Sequence, residues 1–381
     1  MKRILISLVT LLLLTGAVTV SYSVERQPIL WSIRSLGMGG TGIVNANTDD
    51  AFMFNPACAA YIPDMKLTDN FMSMGMDQTI ISEAQYIITD LLQEITGLQN
   101  ISNMSDTMKA WINKEHNIGF DPGMNMTFVS PLKLKDYSMG MGLGVYGNAL
   151  VNMGIGQGVW SPTLDLKVTA DAIGMGGVAF DIYSPIEALN PITVGISAKY
   201  LYRVKVDRYE SVLSLLMQST SDENFFSNYF SDILQKGGGV GFDMGFIYKW
   251  NDGDVGLGLT INNIGGLKLN YASGAETIPM AVNLGWGCNY GNWILACDIN
   301  DILTSGDFFK KVHIGAEYPL GMLDLRGGLS SGWPTLGARL TLNLLLFRMY
   351  IEYAYTATEL GTYAGQWGNY YHRASLTTQF F

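Results

Sequence analysis

From about residue 66 onward, apolar residues recur at every second position in one segment after another. In 240–250, Val240, Phe242, Met244, Phe246, Tyr248 and Trp250 share one face, and Gly241, Asp243, Gly245, Ile247 and Lys249 share the other. Segment 280–288 sets Met280, Val282, Leu284, Trp286 and Cys288 against Ala281, Asn283, Gly285 and Gly287. Segments 255–261 and 347–355 repeat the pattern. A period of two marks a strand with one oily face and one polar or small face. Fourteen such strands are expected, near 66–76, 122–130, 137–148, 169–183, 191–206, 239–250, 254–263, 278–289, 292–300, 311–319, 322–330, 334–343, 346–357 and 370–381.

Their connections alternate in length. Short turns at 251–253, 289–292 and 319–321 alternate with long loops at 77–121, 207–237 and 358–369, the exception being the short link at 331–334. An even number of antiparallel strands joined in this way predicts an all-β, fourteen-stranded transmembrane barrel in a bacterial outer membrane. The short turns and both termini would then face the periplasm. A soluble β-sandwich also alternates, but its outer faces are richly charged. Here the face opposite the apolar one carries mostly Gly, Ala, Ser and Thr. Trp250, Trp286, Trp293, Tyr318 and Phe347 fall by short turns, and Trp333 and Trp367 at the opposite rim, as expected of membrane-interface girdles. Helical spacing of apolar residues in 80–114 and 210–234 predicts amphipathic helices in two external loops.

Composition narrows the function. A basic start at Lys2 and Arg3, an apolar run at 4–14 and small residues ending at Ser23 read as a secretory signal over 1–23. The apolar run is shorter than the roughly 20 residues a helical span needs. Without residues 1–23 the charge falls to 21 basic minus 33 acidic, or −12, which argues against nucleic acid as a partner. Cys58, Cys288 and Cys297 have no metal-ligand spacing. With a turn at 289–292, Cys288 is expected opposite Trp293 and Cys297 opposite Leu284, too far apart to bridge. The histidines His116, His313 and His372 are isolated, and no Gly-x-Ser-x-Gly elbow is present. No enzyme, metal or cofactor is expected. Gly37-Met38-Gly39-Gly40-Thr41-Gly42 satisfies G-x-G-x-x-G formally, but no βαβ unit follows it.

If the apolar face looks outward, the lumen receives Lys199, Arg203, Asp243, Lys249, Asp298, His313, Glu317, Asp324, Arg326, Arg339, Arg348 and Glu352. Buried charges need partners, so ion pairs across neighbouring strands are one expectation. The other is a role for Arg326, Arg339, Arg348, Lys199 or Arg203 in meeting a ligand carboxylate. The terminal strand is weakly marked, because Gln379, Thr377, Ser375 and Arg373 precede Phe381 at alternate positions.

Ile33-Arg34-Ser35-Leu36-Gly37-Met38-Gly39-Gly40, Asn47-Thr48-Asp49-Asp50-Ala51 and Phe54-Asn55-Pro56-Ala57 together resemble the N-terminal signature of the FadL/TodX family. That family comprises outer-membrane transporters for long-chain fatty acids and other hydrophobic compounds, and related branches include uncharacterised spirochaetal members. The resemblance implies that residues 24–65 fold into the lumen as a hatch, with Gly37, Gly39, Gly40, Gly42, Asn55, Pro56 and Ala57 as its gate. Glycines allow close backbone approach, and Pro56 holds Asn55 extended. The implied function is diffusive uptake of fatty acids or other hydrophobic small molecules. The barrel is expected to be monomeric in the bilayer. The alternative is a non-transporting outer-membrane barrel that anchors or shuttles exported proteins.

Overall fold

The computed structural model describes residues 31–46, 50–78, 116–134, 137–156, 163–183, 192–211, 214, 233–250 and 253–380. The signal segment at 1–23, the helices expected in 80–114 and nearly all of 210–234 lie outside them. Among the described residues the strands are β1 (Lys66–Asp77), β2 (His116–Leu134), β3 (Tyr137–Gly156), β4 (Thr163–Ile182), β5 (Ile192–Ser211), β6 (Gln235–Trp250), β7 (Val255–Asn262), β8 (Leu267–Tyr271) and β9 (Gly274–Ile278). They continue as β10 (Ala281–Tyr290), β11 (Trp293–Ile299), β12 (Val312–Leu320), β13 (Leu323–Ser330), β14 (Trp333–Asn343), β15 (Phe347–Glu359) and β16 (Gly368–Phe380).

Fourteen of these strands form a closed antiparallel ring. Each pairs with its neighbour from β1 to β7, β7 pairs with β10, and the series runs on to β16, which pairs with β1 from Leu67–Phe380 to Asp77–Tyr371. Closure leaves no unpaired edge. The expected count and order are met. The segment between β7 and β10, expected as plain loop, holds the β8–β9 hairpin, attached to β6 through Gly237–Tyr271 and Gly238–Asn270. Strands β2 to β5 outrun the expected limits because their ends away from the short turns lose the apolar alternation while keeping their hydrogen-bonded pairs.

The β10–β11 register differs from expectation by two residues. Tyr290 pairs with Trp293 across the two-residue turn Gly291-Asn292, so Cys288 faces Leu295 and Cys297 faces Trp286. Gly291 supplies the positive φ (59°) that this tight turn requires. All three cysteines are free thiols. A bulge at Phe71 in β1 turns both Phe71 and Met72 outward, since Asn70 pairs with Thr377 and Met72 with Leu376.

The ring is oily outside and polar inside. Val240, Phe242, Leu257, Leu325, Ile351 and Leu376 are exposed, whereas Asp243, Thr260, Asp298, Glu317, Arg326, Glu352 and Arg373 are buried. Such an outer surface is stable against hydrocarbon rather than water. No helix among the described residues is long and apolar enough to cross a membrane, so any crossing is made by strands. The terminal strand now has its reason: Arg373, Ser375, Thr377 and Gln379 are its buried inner face, and Phe380 and Leu376 its exposed outer face. Aromatic rings gather at the short-turn rim, with Trp293 against Tyr318 at 4.7 Å and Phe347 against Phe380 at 5.7 Å. At the other rim Trp333 and Tyr355 both pack on Tyr370. Trp286 sits deeper, four residues inside β10.

Candidate functional site

Residues 31–46 and 50–62 run inside the ring. They form helix α1 (Ile33–Gly37), helix α2 (Ala51–Phe54) and a 3-10 turn, Pro56–Tyr61. Ser32 caps α1 by accepting from the amide of Ser35 at 3.0 Å, and its hydroxyl donates to Asp50. Asn55 caps the 3-10 turn by accepting from the Ala57 amide at 3.0 Å, and Pro56 starts that turn where a missing N–H costs nothing. The elements are short, so their stability comes from the wall around them.

Two kinds of contact hold the segment. On the β2–β6 side the seat is apolar: Phe52, Ala57, Cys58, Ala59 and Ile62 pack with Val129, Tyr146, Ile173, Met175 and Ile247. Burying an aromatic or aliphatic side chain such as Phe52 or Ile62 stabilises the seat by about 1.5–3 kcal/mol. On the β11–β15 side the seat is polar. The Gly42 and Ile43 amides both donate to Asp298, at 2.7 and 3.0 Å, and the Gly39 carbonyl lies 2.7 Å from His313 Nδ1. Arg34 donates to Glu317 at 2.9 Å and to the Asn45 carbonyl at 2.7 Å. Thr335 donates to the Gly37 carbonyl.

Wall glycines make room for this backbone. A Cβ at Gly315 would overlap the Met38 carbonyl, one at Gly195 the Ala57 amide, and one at Gly140 the Ala59 carbonyl. Within the segment, Gly39 combines a φ of 72° with a position wedged against the backbones of Ile314 and Leu329, so no other residue fits there. The structure therefore brings Gly37, Gly39, Gly42, Asn55, Pro56 and Ala57 against the inner wall, and Gly40 against the His313 ring. Asn55 is fully buried, and its amide nitrogen donates to the Ile43 carbonyl at 2.8 Å.

Four of the five candidate cations fall into two places. Arg326 is wholly buried between Glu317 and Glu352, at 2.9 Å from each, and Arg339 joins the same Glu352 at 2.8 Å. Glu317 thus serves Arg34 and Arg326 together, and the chain of charges ties the inner segment to β12, β13, β14 and β15. Arg348 lies at the start of β15 beside the short turn. Lys199 and Arg203 instead line a cavity, where Lys199 pairs with Asp243 at 2.8 Å and Arg203 with Asp171 at 2.7 Å. Asp171, Asp121 and its partner Arg373 also line it, and sequence reasoning missed all three because each sits in a strand whose inner face was poorly resolved by alternation. Arg34 was missed as well, since a charge beside a glycine run carries no signal of its distant partner.

The cavity, of about 520 Å³, lies on the long-loop side of the inner segment. Trp31, Leu36, Ile43, Met53 and Phe54 supply an apolar floor, and Asn148, Thr169, Asn263, Asn283, Thr304 and Thr356 contribute polar walls. This volume is in the range of small-molecule sites, and an oily floor beneath charged and polar walls suits an amphipathic ligand. Among the described residues no group of three His, Cys, Asp or Glu could hold a metal ion.

No protein-family model matches the chain, and no curated protein matches it. Among solved structures, the Ralstonia pickettii toluene transporter TbuX is similar over 92% of this chain and 98% of its own, at 12% identity and a TM-score of 0.53. The TodX monoaromatic hydrocarbon channel deltaS2 mutant is similar over the same shares, at 14% identity and a TM-score of 0.51. What the chain shares with both at that identity is the fold.

Proposed function

We propose that this chain is an outer-membrane barrel through which hydrophobic small molecules diffuse inward, long-chain fatty acids first among them. One observation carries the reading: a segment fastened around the inner circumference separates the short-turn rim from an oil-floored cavity on the long-loop side. The similarity in fold to channels described as carrying toluene and monoaromatic hydrocarbons supports the same reading. In it the long loops face outward and both termini face the periplasm. Residues 24–65 act as a hatch, and Gly37, Gly39, Gly40, Gly42, Asn55, Pro56 and Ala57 form the joints on which it seats.

Of the candidate cations, Lys199 and Arg203 are our choice to meet a ligand carboxylate, because they border the cavity, each beside its own aspartate. Arg326 and Arg339 serve the hatch instead, their charge being spent on Glu317 and Glu352. The purified barrel, reconstituted in lipid vesicles, is offered labelled palmitate in one arm and labelled toluene in the other. Saturable uptake that rises when residues 33–57 are unseated supports transport, and the better ligand names the class. No uptake of either, with an exported protein co-purifying stoichiometrically, sinks this reading in favour of an anchoring barrel.

A further inference from the structure

The wall is lopsided. Strands β3, β4 and β5 have 20 residues each, whereas β11 has 7, β13 has 8 and β12 has 9. At a rise of ~3.3 Å per residue and a tilt of ~40°, seven residues cover only about 18 Å of membrane normal, short of the ~25 Å apolar band such barrels present. β11 therefore lacks roughly a quarter of the greasy height that hydrocarbon requires, β13 about a fifth and β12 about a tenth.

Two rim connections on that side of the ring, one between β11 and β12 and one between β14 and β15, are apolar where loops in water are polar. At the short-turn rim, β14 and β15 are joined by Leu344, Leu345 and Leu346, and Leu345 is 99% exposed. At the opposite rim the link between β11 and β12 ends in a 3-10 turn, Phe308–Lys311, whose side chains are sorted. Phe309 is 69% exposed and Phe308 packs edge-on against it, while Lys310 is buried with its ammonium on the Gly361 carbonyl at 2.8 Å. Lys310 and Lys311 line the cavity; Phe308 and Phe309 do not. Lysine inside and phenylalanine outside is the polarity of the membrane-facing wall, continued past the end of the strands.

We infer that the bilayer itself covers these two rim clusters, so that the Phe308–Phe309 pair supplies apolar height that β11 and β12 lack and the triple-leucine turn extends the greasy band below β14 and β15. Shorter spans are met by membrane thinning or by drawing flanking residues into the hydrocarbon, and here the flanking residues are already greasy. The inference rests on the membrane-barrel reading above. It adds that the lipid contact on the short-strand side runs past the ends of the strands onto their connections.

The test is collision accessibility of a nitroxide in the full-length barrel in bilayers, with Cys58, Cys288 and Cys297 changed to Ala. Labels are placed singly through Leu345→Cys, Phe309→Cys, Leu143→Cys on the outer face of β3, and Tyr209→Cys near the far end of β5. Labels at 345 and 309 are expected to collide with oxygen in preference to a water-soluble nickel chelate, as at 143, while 209 favours the chelate. Chelate preference at 345 and 309 with oxygen preference at 143 overturns the inference alone. Chelate preference at 143 as well overturns the membrane barrel. Low collision with both reagents at 345 or 309 means a protein surface covers them and also overturns it. A second measurement needs no cysteine change. Leu345→Lys is expected to lower the urea midpoint of the barrel in thick-bilayer vesicles more than in thin ones, and an equal effect in both overturns the inference.

Discussion

The guanidinium of Arg34 and the carboxylate of Glu317, 283 residues apart in the chain, meet at 2.9 Å, and the same carboxylate oxygen also accepts from Arg326. Breaking a buried pair from one side leaves a charge without compensation, which costs about 3–5 kcal/mol. The two partners differ in what they leave behind. Arg34→Gln leaves Glu317 still held by Arg326, so the expected loss is smaller, about 1–3 kcal/mol. Glu317→Gln strips both Arg34 and Arg326 and takes the full amount. In planar bilayers, Glu317→Gln is therefore expected to raise the basal ion conductance more than Arg34→Gln does, and the reverse order would contradict the network.

Gly315 and Gly174 are both strand glycines and make opposite predictions. A Cβ on Gly315 meets the Met38 carbonyl, whereas a Cβ on Gly174 meets nothing within 4 Å. Gly315→Ala should unseat the α1 side of the inner segment at a cost of about 1–3 kcal/mol, the range for overpacking. Gly174→Ala should stay within about 0.5 kcal/mol of the parent. Urea midpoints in vesicles, with limited proteolysis to score release of residues 31–62, separate the two.

Asn55 uses both ends of its amide, accepting from the Ala57 amide and donating to the Ile43 carbonyl. Asn55→Ala loses both bonds and should cost about 1–3 kcal/mol. Asn55→Asp keeps the acceptor but aims a buried negative charge at the Ile43 oxygen, so near neutral pH it should cost more than Ala. Burial raises the pKa of such a carboxyl. Its protonated form can donate again, so stability of this variant should rise as the pH falls through that raised pKa. Urea midpoints at pH 5 and pH 8 check the sign, and a loss on acidification beyond that of the parent would refute it.

Cys58 offers a chemical readout of seating. Burial pushes its thiol up to about 12, so at pH 8 only on the order of one thiol in 10⁴ is ionised. Maleimide at pH 8 should leave Cys58 unmodified in the parent and modify it within minutes in Glu317→Gln, as followed by peptide mass spectrometry. Equal rates in the two would show that the seat does not depend on Glu317.

The barrel was legible because alternation is enforced on every strand by hydrocarbon on one side. Where that constraint lapses, the reading lapses with it. The β8–β9 hairpin was invisible since Leu267 and Leu269 turn inward to the wall and not outward to lipid. The two-residue slip at Cys288 and Cys297 came from the turn, because Tyr290 and Trp293 pair as readily as turn residues would and alternation is unchanged by a shift of two. Lumenal charges were recognisable as a set, but which cation faces the cavity depends on pairings between strands, and Arg203 with Asp171 joins neighbours that no local pattern connects.

The inner segment touches β2 to β6 through its 3-10 turn, β11 through Gly42 and Ile43, and β12 to β15 through α1 and its flanks. Its earliest partners, β2 and β3, come within the first half of the chain, and its latest, β15, only near the end. Distant pairings of this sort form slowly. The inner segment therefore completes its seat only once strands from both halves of the chain have closed around it.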